Sequence, residues 1–245
     1  MVYFQFYKKN VIFLDFKSMK KILFSLIIVL SINSQAISHV EHYAEFNYLE
    51  YELFRNNKSI GYHKYDFIRE NDILSIKSEV SFKITKLGID LYKYFAASEE
   101  IYKNNQFFKF SSKTNKNKKE RYVNIGVDTT DGELIIDGSS YKGKASKDFI
   151  VGTWWNHEII KSKAQISAIS GRIIEQTVTF VGKEQVTIGD KIFNTLRFNF
   201  KSSDETLSDD KKLNTDIWYD EKTHLWVKAA FDKTGYWEYR IKTYK

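Results

Sequence analysis

The stretch Leu74–Gly88, LSIKSEVSFKITKLG, decides the fold because two kinds of side chain alternate along it. A period of two is typical of a β-strand, whose successive side chains point to opposite faces. One face would carry Leu74, Ile76, Ser78, Val80, Phe82 and Ile84, and the other face Ser75, Lys77, Glu79, Ser81 and Lys83. The stretch therefore predicts a long strand with one face in a core and one face in water.

The same alternation recurs less regularly from Phe46 to Tyr244, in runs separated by short polar segments such as RNNKSIG, KNNQ and DKTG. Strands joined by such short turns are antiparallel neighbours, because a parallel crossover needs about a dozen residues or more. A wide sheet with one apolar face must curl over that face or cover it. We therefore predict an all-β protein, a strongly curved antiparallel meander of about 10–12 strands that forms a half-barrel or barrel.

The stretch VGTWWNHEII, Val151–Ile160, fits neither neighbouring strand pattern. Asn156 could accept a hydrogen bond from a free backbone N–H and so cap a short helix, predicted over His157–Ala164. We expect the surrounding segment, Phe149–Ile169, to form a helix and loop plug that brings at least one ring of Trp154 and Trp155 against the inner face of the sheet. The two tryptophans are then either ordinary core aromatics, or one of them faces a ligand together with His157. The acidic loop Ser202–Asp210 is a second candidate cover.

The N-terminal 36 residues predict export. From Met19 the chain reads MKKILFSLIIVLSINSQA, with two lysines, an apolar run over Ile22–Ile32 and a small-residue cleavage site at Ala36. The apolar run is shorter than the roughly 17–25 residues that span a bilayer as a helix. We interpret residues 1–36 as an upstream extension plus a cleaved signal peptide, with Met19 as the start, and residues 37–245 as a single β domain in the periplasm or outside the cell.

Charge and composition narrow the classes of function. The formal net charge is +7, but residues 1–36 hold +4 of it, so the mature chain has too little positive charge to predict nucleic-acid binding. The basic cluster Lys113–Tyr122 is interpreted as a solvated hairpin tip, with attraction to anionic headgroups as the alternative. The absence of cysteine excludes disulfides, thiolate metal sites, a cysteine nucleophile and the acylated cysteine of a lipoprotein.

Residue patterns for metal, cofactor and catalytic sites are weak. His39 and His42 flank Glu41 without the helical spacing of a zinc site, and no phosphate loop, dinucleotide fingerprint or nucleophile elbow occurs. We therefore predict no metal, no cofactor and no catalytic residue. An ionisable side chain on the apolar face would be costly to bury without a partner, and Glu100 and Arg240 are the candidates for such a position.

The chain resembles a bacterial envelope family, domain of unknown function 6134. The most specific matching residues are Ile60-Gly61, Tyr92 and Tyr94, Trp155-Asn156 and Trp218-Tyr219-Asp220. Family members commonly place a proline soon after the Trp-Asn pair, where this chain has His157, so the resemblance implies no shared role for His157. The family's strand pattern is similar to that of periplasmic lipoprotein carriers, which implies a curved sheet that holds acyl chains under a small lid; this analogy is one of fold alone.

These observations lead to three hypotheses. In the first, the protein is not an enzyme and binds a lipid or another hydrophobic small molecule on the inner face of its sheet. The predicted ligand-binding residues are Trp154, Trp155, Asn156, His157, Phe82, Tyr92, Tyr94 and Trp218. In the second, the interior is a filled core and the protein binds an envelope protein through an edge strand or exposed aromatic patch. In the third, it hydrolyses an envelope component through His157 and a carboxylate.

Overall fold

The computed structural model describes residues 43–245, and these residues are almost entirely β-structure. The predicted signal segment 1–36 and the histidines His39 and His42 lie outside the described residues. The strands are β1 (Tyr48–Arg55), β2 (Lys58–Glu70), β3 (Ile73–Lys86), β4 (Ile89–Lys103), β5 (Gln106–Lys116), β6 (Lys119–Val127), β7 (Leu134–Gly138), β8 (Lys142–Ala145), β9 (Ile150–Val151), β10 (Ala164–Ile166), β11 (Ile173–Ile188), β12 (Lys191–Ser202), β13 (Asn214–Asp220), β14 (Trp226–Asp232) and β15 (Tyr236–Tyr244).

All fifteen strands belong to one sheet with the order β8-β7-β6-β5-β4-β3-β2-β1-β15-β14-β13-β12-β11-β10-β9. The N-terminal strand β1 lies in the middle and pairs with β15, so the two halves of the chain spread outward from the central β1–β15 pair. The prediction of an all-β, antiparallel and strongly curved fold is confirmed. The strand count is higher than predicted because β8, β9 and β10 are too short to show alternation.

The two edges of the sheet approach each other without closing the ladder. Edge strands β8 and β9 are joined by only residues 146–149, and the turn before β11 reaches across to β5 and the β7–β8 turn. Ser112 Oγ donates to the Ala168 carbonyl, and the Ser140 N–H donates to the Ser170 carbonyl at 2.8 Å. Gly138 permits this approach, since a Cβ there would lie 2.6 Å from the Ser170 carbonyl oxygen.

Two local predictions were wrong in the segment between β9 and β10. The helix is a 3-10 helix over His157–Lys161, and it ends before Ala164 because Ala164 pairs with Glu175 as the first residue of β10. Strands β9 and β10 are parallel, unlike the all-antiparallel expectation. The crossover that a parallel pair requires is residues 152–163, which hold the Trp pair and the 3-10 helix.

Candidate functional site

Residues Gly152–Asn156, which we call the plug segment, cross the inner face of the sheet. Hydrogen bonds fix this backbone to widely separated strands: the Tyr65 hydroxyl of β2 donates to the Thr153 carbonyl at 2.6 Å, and the Tyr219 hydroxyl of β13 donates to the Trp154 carbonyl at 2.9 Å. The plug segment divides the interior into two parts with different packing. We call them the filled half, on the Trp155 side, and the hollow half, on the Trp154 side.

The filled half is a continuous aromatic core around Trp155, whose side chain is fully buried. The indole makes edge-to-face contacts with three rings, with centroid separations of 5.5 Å to Tyr43, 5.6 Å to Phe67 and 5.8 Å to Tyr102. Such perpendicular ring pairs are favourable beyond the area they bury. Ile159 of the 3-10 helix packs into the same cluster and is also fully buried.

Glu100, on β4, is a carboxyl group buried in the filled half and is only 2% exposed. Its carboxylate accepts hydrogen bonds from the Tyr102 hydroxyl at 2.6 Å and from Trp155 Nε1 at 2.9 Å, with a longer one from Thr153 at 3.3 Å. Burial raises the pKa of Glu100 above its usual range, and these donors oppose that rise. The sequence placed Glu100 on the apolar face, and its partners show that it anchors the plug segment.

The hollow half forms a partly open cavity of about 550 Å³, and its lining reaches the β3–β4 hairpin and the β14–β15 turn at one end of the strands. Its walls are mainly apolar and aromatic side chains from β3, β4, β14 and β15. They include Val80, Phe82, Ile84, Tyr92, Tyr94, Ala96, Trp154, Phe231, Trp237 and Tyr239. A volume of roughly 300–1,000 Å³ with apolar walls is characteristic of small-molecule sites.

A few polar groups interrupt these apolar walls. His63 on β2 lies within 2.8 Å of Ser78 through Nε2, while His63 Nδ1 and Trp154 Nε1 are buried without a protein partner. Burial lowers the pKa of His63 to about 3, so the imidazole is neutral at physiological pH. Lys116 and Lys233 also line the cavity, and Lys116 Nζ lies 5.4 Å from the centre of the Tyr92 ring.

Four of the eight sequence-predicted site residues come together in this cavity. Phe82 stacks on Tyr94 with a centroid separation of 4.8 Å and on Tyr92 at 5.8 Å, and all three line the hollow half together with Trp154. Trp154 adopts a left-handed backbone conformation with φ of +61°, which a bulky residue rarely does. Trp154 lines the hollow half, whereas the adjacent Trp155 is buried in the filled half.

Trp155, Asn156 and His157 are not among the residues that line the cavity. Asn156 caps the 3-10 helix as predicted, since its side chain accepts from the Glu158 N–H at 3.1 Å. The His157 ring stacks on His224 at 4.4 Å, and Nε2 lies 3.3 Å from the Glu158 carboxylate. The His157 side chain is buried in this packing and is not placed toward the hollow half.

Trp218 and Arg240 lie on the outer face of the sheet. Trp218 alternates with the core residues Ile217 and Tyr219 along β13, and its ring lies between Arg197 and Lys228, at 4.9 and 4.8 Å. The placement of Arg240 on the apolar face was wrong. Its guanidinium pairs with Glu238 and lies 4.2 Å from the Phe54 ring centre, because outward positions of β15 alternate with inward Tyr239 and Ile241.

Sequence reasoning did not identify His63, Phe231, Trp237 or Tyr239 as cavity residues. Each belongs to a strand that the alternation did predict, but no pattern within one strand says which strands face one another. A weak indication was available at Ser78, which interrupts an otherwise apolar face of β3 and contacts His63 across the β2–β3 pair.

Other types of site are not indicated within residues 43–245. No group of three or more His, Cys, Asp or Glu side chains in this range could hold a metal ion. No helix in this part of the chain is long and apolar enough to cross a membrane.

Comparison with known proteins places the fold and the family. No curated protein matches the chain. The crystal structure of a β-barrel-like protein of the DUF1849 family from Brucella abortus is similar, with 12% identity, a TM-score of 0.55, and coverage of 82% of this chain and 97% of that chain. A DUF1329 family protein from Desulfovibrio piger has 10% identity, covers 85% of this chain and 90% of its own, and has a TM-score of 0.19, which supports no argument. The family model for the domain of unknown function DUF6134 matches residues 51–242, so the chain belongs to that family.

Proposed function

We propose that this protein binds an amphiphilic ligand with an apolar body, such as an acyl chain, in the hollow half of its sheet. The observation that carries the proposal is the partly open apolar cavity of about 550 Å³, beside a filled half in which the same sheet packs fully. An empty apolar cavity of this size is costly in a folded protein, because its lining forfeits dispersion contacts. A bound acyl chain would restore those contacts.

The polar groups of the cavity give the ligand an orientation. Lys116 and Lys233 line the cavity close to hairpin tips, whereas Val80 and Ala96, which pair with each other farther along β3 and β4, are apolar. An anionic or strongly polar headgroup would therefore lie near the lysines, with the apolar body against the aromatic wall. His63 Nδ1 and Trp154 Nε1 would offer hydrogen bonds to a polar group carried farther in.

The function we propose is non-enzymatic and belongs outside the cytoplasm. The export part rests on the signal-like segment Met19–Ala36. Hydrolysis through His157 is not favoured, because its ring is packed against His224 and Glu158 away from the cavity. An interaction module with a wholly filled core is not favoured either, because the hollow half leaves space along six strands.

Tryptophan quenching by a brominated fatty acid tests ligand binding. Two of the five tryptophans, Trp154 and Trp237, line the cavity, whereas Trp155, Trp218 and Trp226 do not. Titration with 9,10-dibromostearate should quench part of the fluorescence in a saturable way, and Trp237→Phe should lower the quenched fraction. Mass spectrometry of lipids extracted from the natively purified protein should show a bound amphiphile.

A pair of phenylalanine substitutions supplies the matched control. Ala96→Phe places a ring inside the hollow half and should abolish saturable quenching. Ser111→Phe places the same ring on the outer face of the neighbouring strand β5, where Ser111 is exposed, and should leave quenching unchanged. Quenching of equal extent in both variants, or extracted protein without any lipid and without saturable quenching, would contradict the proposal.

A further inference from the structure

The hairpin between β3 and β4 extends beyond its neighbours as a two-stranded arm. The pairing of β3 with β2 starts at Phe82 opposite Gly61, and the pairing of β4 with β5 starts at Tyr94 opposite Lys116. Residues Lys83–Lys93, which we call the arm, therefore pair in the ladder only with one another. The backbone of Lys93 exchanges hydrogen bonds with Asn117 at the base of the arm.

The arm carries apolar side chains at its tip that nothing in the described chain covers. Leu87 is 93% exposed, and Ile89 and Leu91 are more than half exposed. Leu91 is the extra residue of a bulge, since Ile84 pairs with Tyr92 and Thr85 with Asp90. Exposed aliphatic side chains in a cluster mark a surface that another apolar phase covers.

Leu87 also differs from the residues at the equivalent position of three other hairpin turns. Three other two-residue hairpin turns have positive φ at both positions, and their first residue is asparagine: Asn56-Asn57, Asn104-Asn105 and Asn117-Lys118. Leu87-Gly88 has the same geometry, with φ of 51° and 78°, yet places leucine where asparagine is favoured. Leucine is disfavoured there both by backbone strain and by exposure, and such departures from local rules concentrate at functional positions.

The arm and its neighbouring hairpin are rich in cations. The arm and the adjacent β5–β6 tip, residues 113–121, together hold eight Lys and Arg residues against the two carboxylates Asp90 and Glu120. Asp90 is already engaged by Lys93 at 3.0 Å and by Thr85. The acidic loop after β12 lies at the same end of the strands, where the Asp210 carbonyl accepts a hydrogen bond from Lys233 Nζ. Among the described residues, the ion pairs of this loop are with Lys201 and Lys212 and not with the arm.

We infer that the arm docks the protein on an anionic lipid bilayer. The side chains of Leu87, Ile89 and Leu91 enter the interface between headgroups and acyl chains, and the surrounding lysines contact anionic headgroups. Ile84 and Tyr92, at the base of the arm, line the cavity, so docking brings the cavity mouth to the membrane surface. The inference stands on the arm itself and does not require that the cavity hold a ligand.

Vesicle flotation with the chain from Ile37 onward tests this inference, because all fifteen strands and both core clusters lie in that part. The protein should float with vesicles of three parts phosphatidylcholine to one part phosphatidylglycerol, and float much less with phosphatidylcholine alone or in high salt. Leu87→Asn suits the turn better than leucine, so it keeps the fold while weakening partition about fivefold to tenfold. Lys83→Gln and Lys86→Gln should each weaken it about fivefold.

Ile192→Thr is the matched control, since Ile192 is 66% exposed on the β11–β12 hairpin at the other end of the strands. It should leave partition unchanged. Three results would overturn the inference: no flotation of the wild type with anionic vesicles at low salt, equal partition of Leu87→Asn and wild type, or a wild-type dimer that Leu87→Asn dissociates without vesicle binding. Quenching by dibromostearate should persist in Leu87→Asn, which separates this inference from the proposed ligand site.

Discussion

The filled half and the hollow half share strands β2, β3, β4, β14 and β15, yet only one of them is packed. Tyr102 and Tyr92 lie ten residues apart on the inner side of β4. Tyr102 is buried against Trp155 and donates to Glu100, whereas Tyr92 lines an open cavity. The difference comes from the plug segment, which fills one side with Trp155, whereas Gly152, Thr153 and Trp154 on the other side only line the cavity. An identical sheet face thus becomes core or pocket according to what a distant loop covers.

The largest expected effect is on stability when the filled half loses its central ring. Trp155→Ala removes a fully buried indole and leaves Glu100 without its Nε1 donor, so we expect the free energy of unfolding to fall by about 3–5 kcal/mol. Urea denaturation followed by circular dichroism measures this change.

Trp237→Ala in the hollow half is the matched comparison. Trp237 contacts Phe82 at 5.3 Å and is partly exposed, so its loss should cost only about 1–2 kcal/mol. Equal costs for the two substitutions would mean that the two halves are packed alike and would break the comparison.

The next effect is a dependence of stability on pH that arises in the hollow half. The pKa of His63 is lowered from 6.5 to about 3 by burial, so below pH 6.5 the unfolded chain binds a proton that the folded chain does not. Stability is therefore full above pH 6.5 and falls as the pH drops, by about 2 kcal/mol between pH 7 and pH 5.

The variant His63→Leu should lack this component, so the difference between its unfolding free energy and that of the wild type should change with pH across this range. Nuclear magnetic resonance of the His63 ring should show a neutral imidazole at pH 5. A ring that titrates near pH 6.5 would show that water reaches His63 freely and that the hollow half is wetter than described.

The smallest effect has the opposite sign and belongs to the filled half. Burial raises the pKa of Glu100 from 4.5, so the folded chain holds this proton to higher pH than the unfolded chain. The contribution of Glu100 to the free energy of unfolding is fully present below pH 4.5. It decreases as the pH rises through the pKa of the folded state, with a slope of at most about 1.4 kcal/mol per pH unit.

Glu100→Gln can keep an acceptor for Trp155 Nε1 while removing the titration. The free energy of unfolding of this variant should not decline in this way. Above pH 4.5, the variant should therefore become increasingly stable relative to the wild type. A gap that stays constant with pH would mean that Glu100 is not desolvated.

The course of individual strands was predictable from sequence to different degrees. The face of β3 that carries Val80, Phe82 and Ile84 was correct because alternation is a local property of the chain. Strands β9 and β10 were not predictable, since a strand of two or three residues is defined by its partners and not by a period. Within β11 the bulge near Gly182 shifts the register, so a single period of two does not run through the whole strand.

The candidate site was predictable as a list of aromatic residues but not as a cavity. Trp154 and Trp155 are adjacent and chemically identical, yet Trp154 lines the hollow half and Trp155 is buried in the filled half. Trp218 was predicted as a site residue because it is aromatic, but it lies on the outer face between two cations. Its neighbours in β13, Ile217 and Tyr219, point into the core, so Trp218 points outward.

By itself, the sequence determined an all-β chain with one apolar face, since a period of two and short turns are read within a few residues of one another. The tertiary structure decided how much of that face is covered. Two hydrogen bonds hold the plug segment over this face. One joins Trp155 Nε1 to Glu100, 55 residues apart in the chain, and the other joins the Tyr65 hydroxyl to the Thr153 carbonyl, 88 residues apart. Pairings at such separations depend on how the whole sheet curls, because they form only when distant strands meet, so no local pattern distinguishes the filled half from the hollow one.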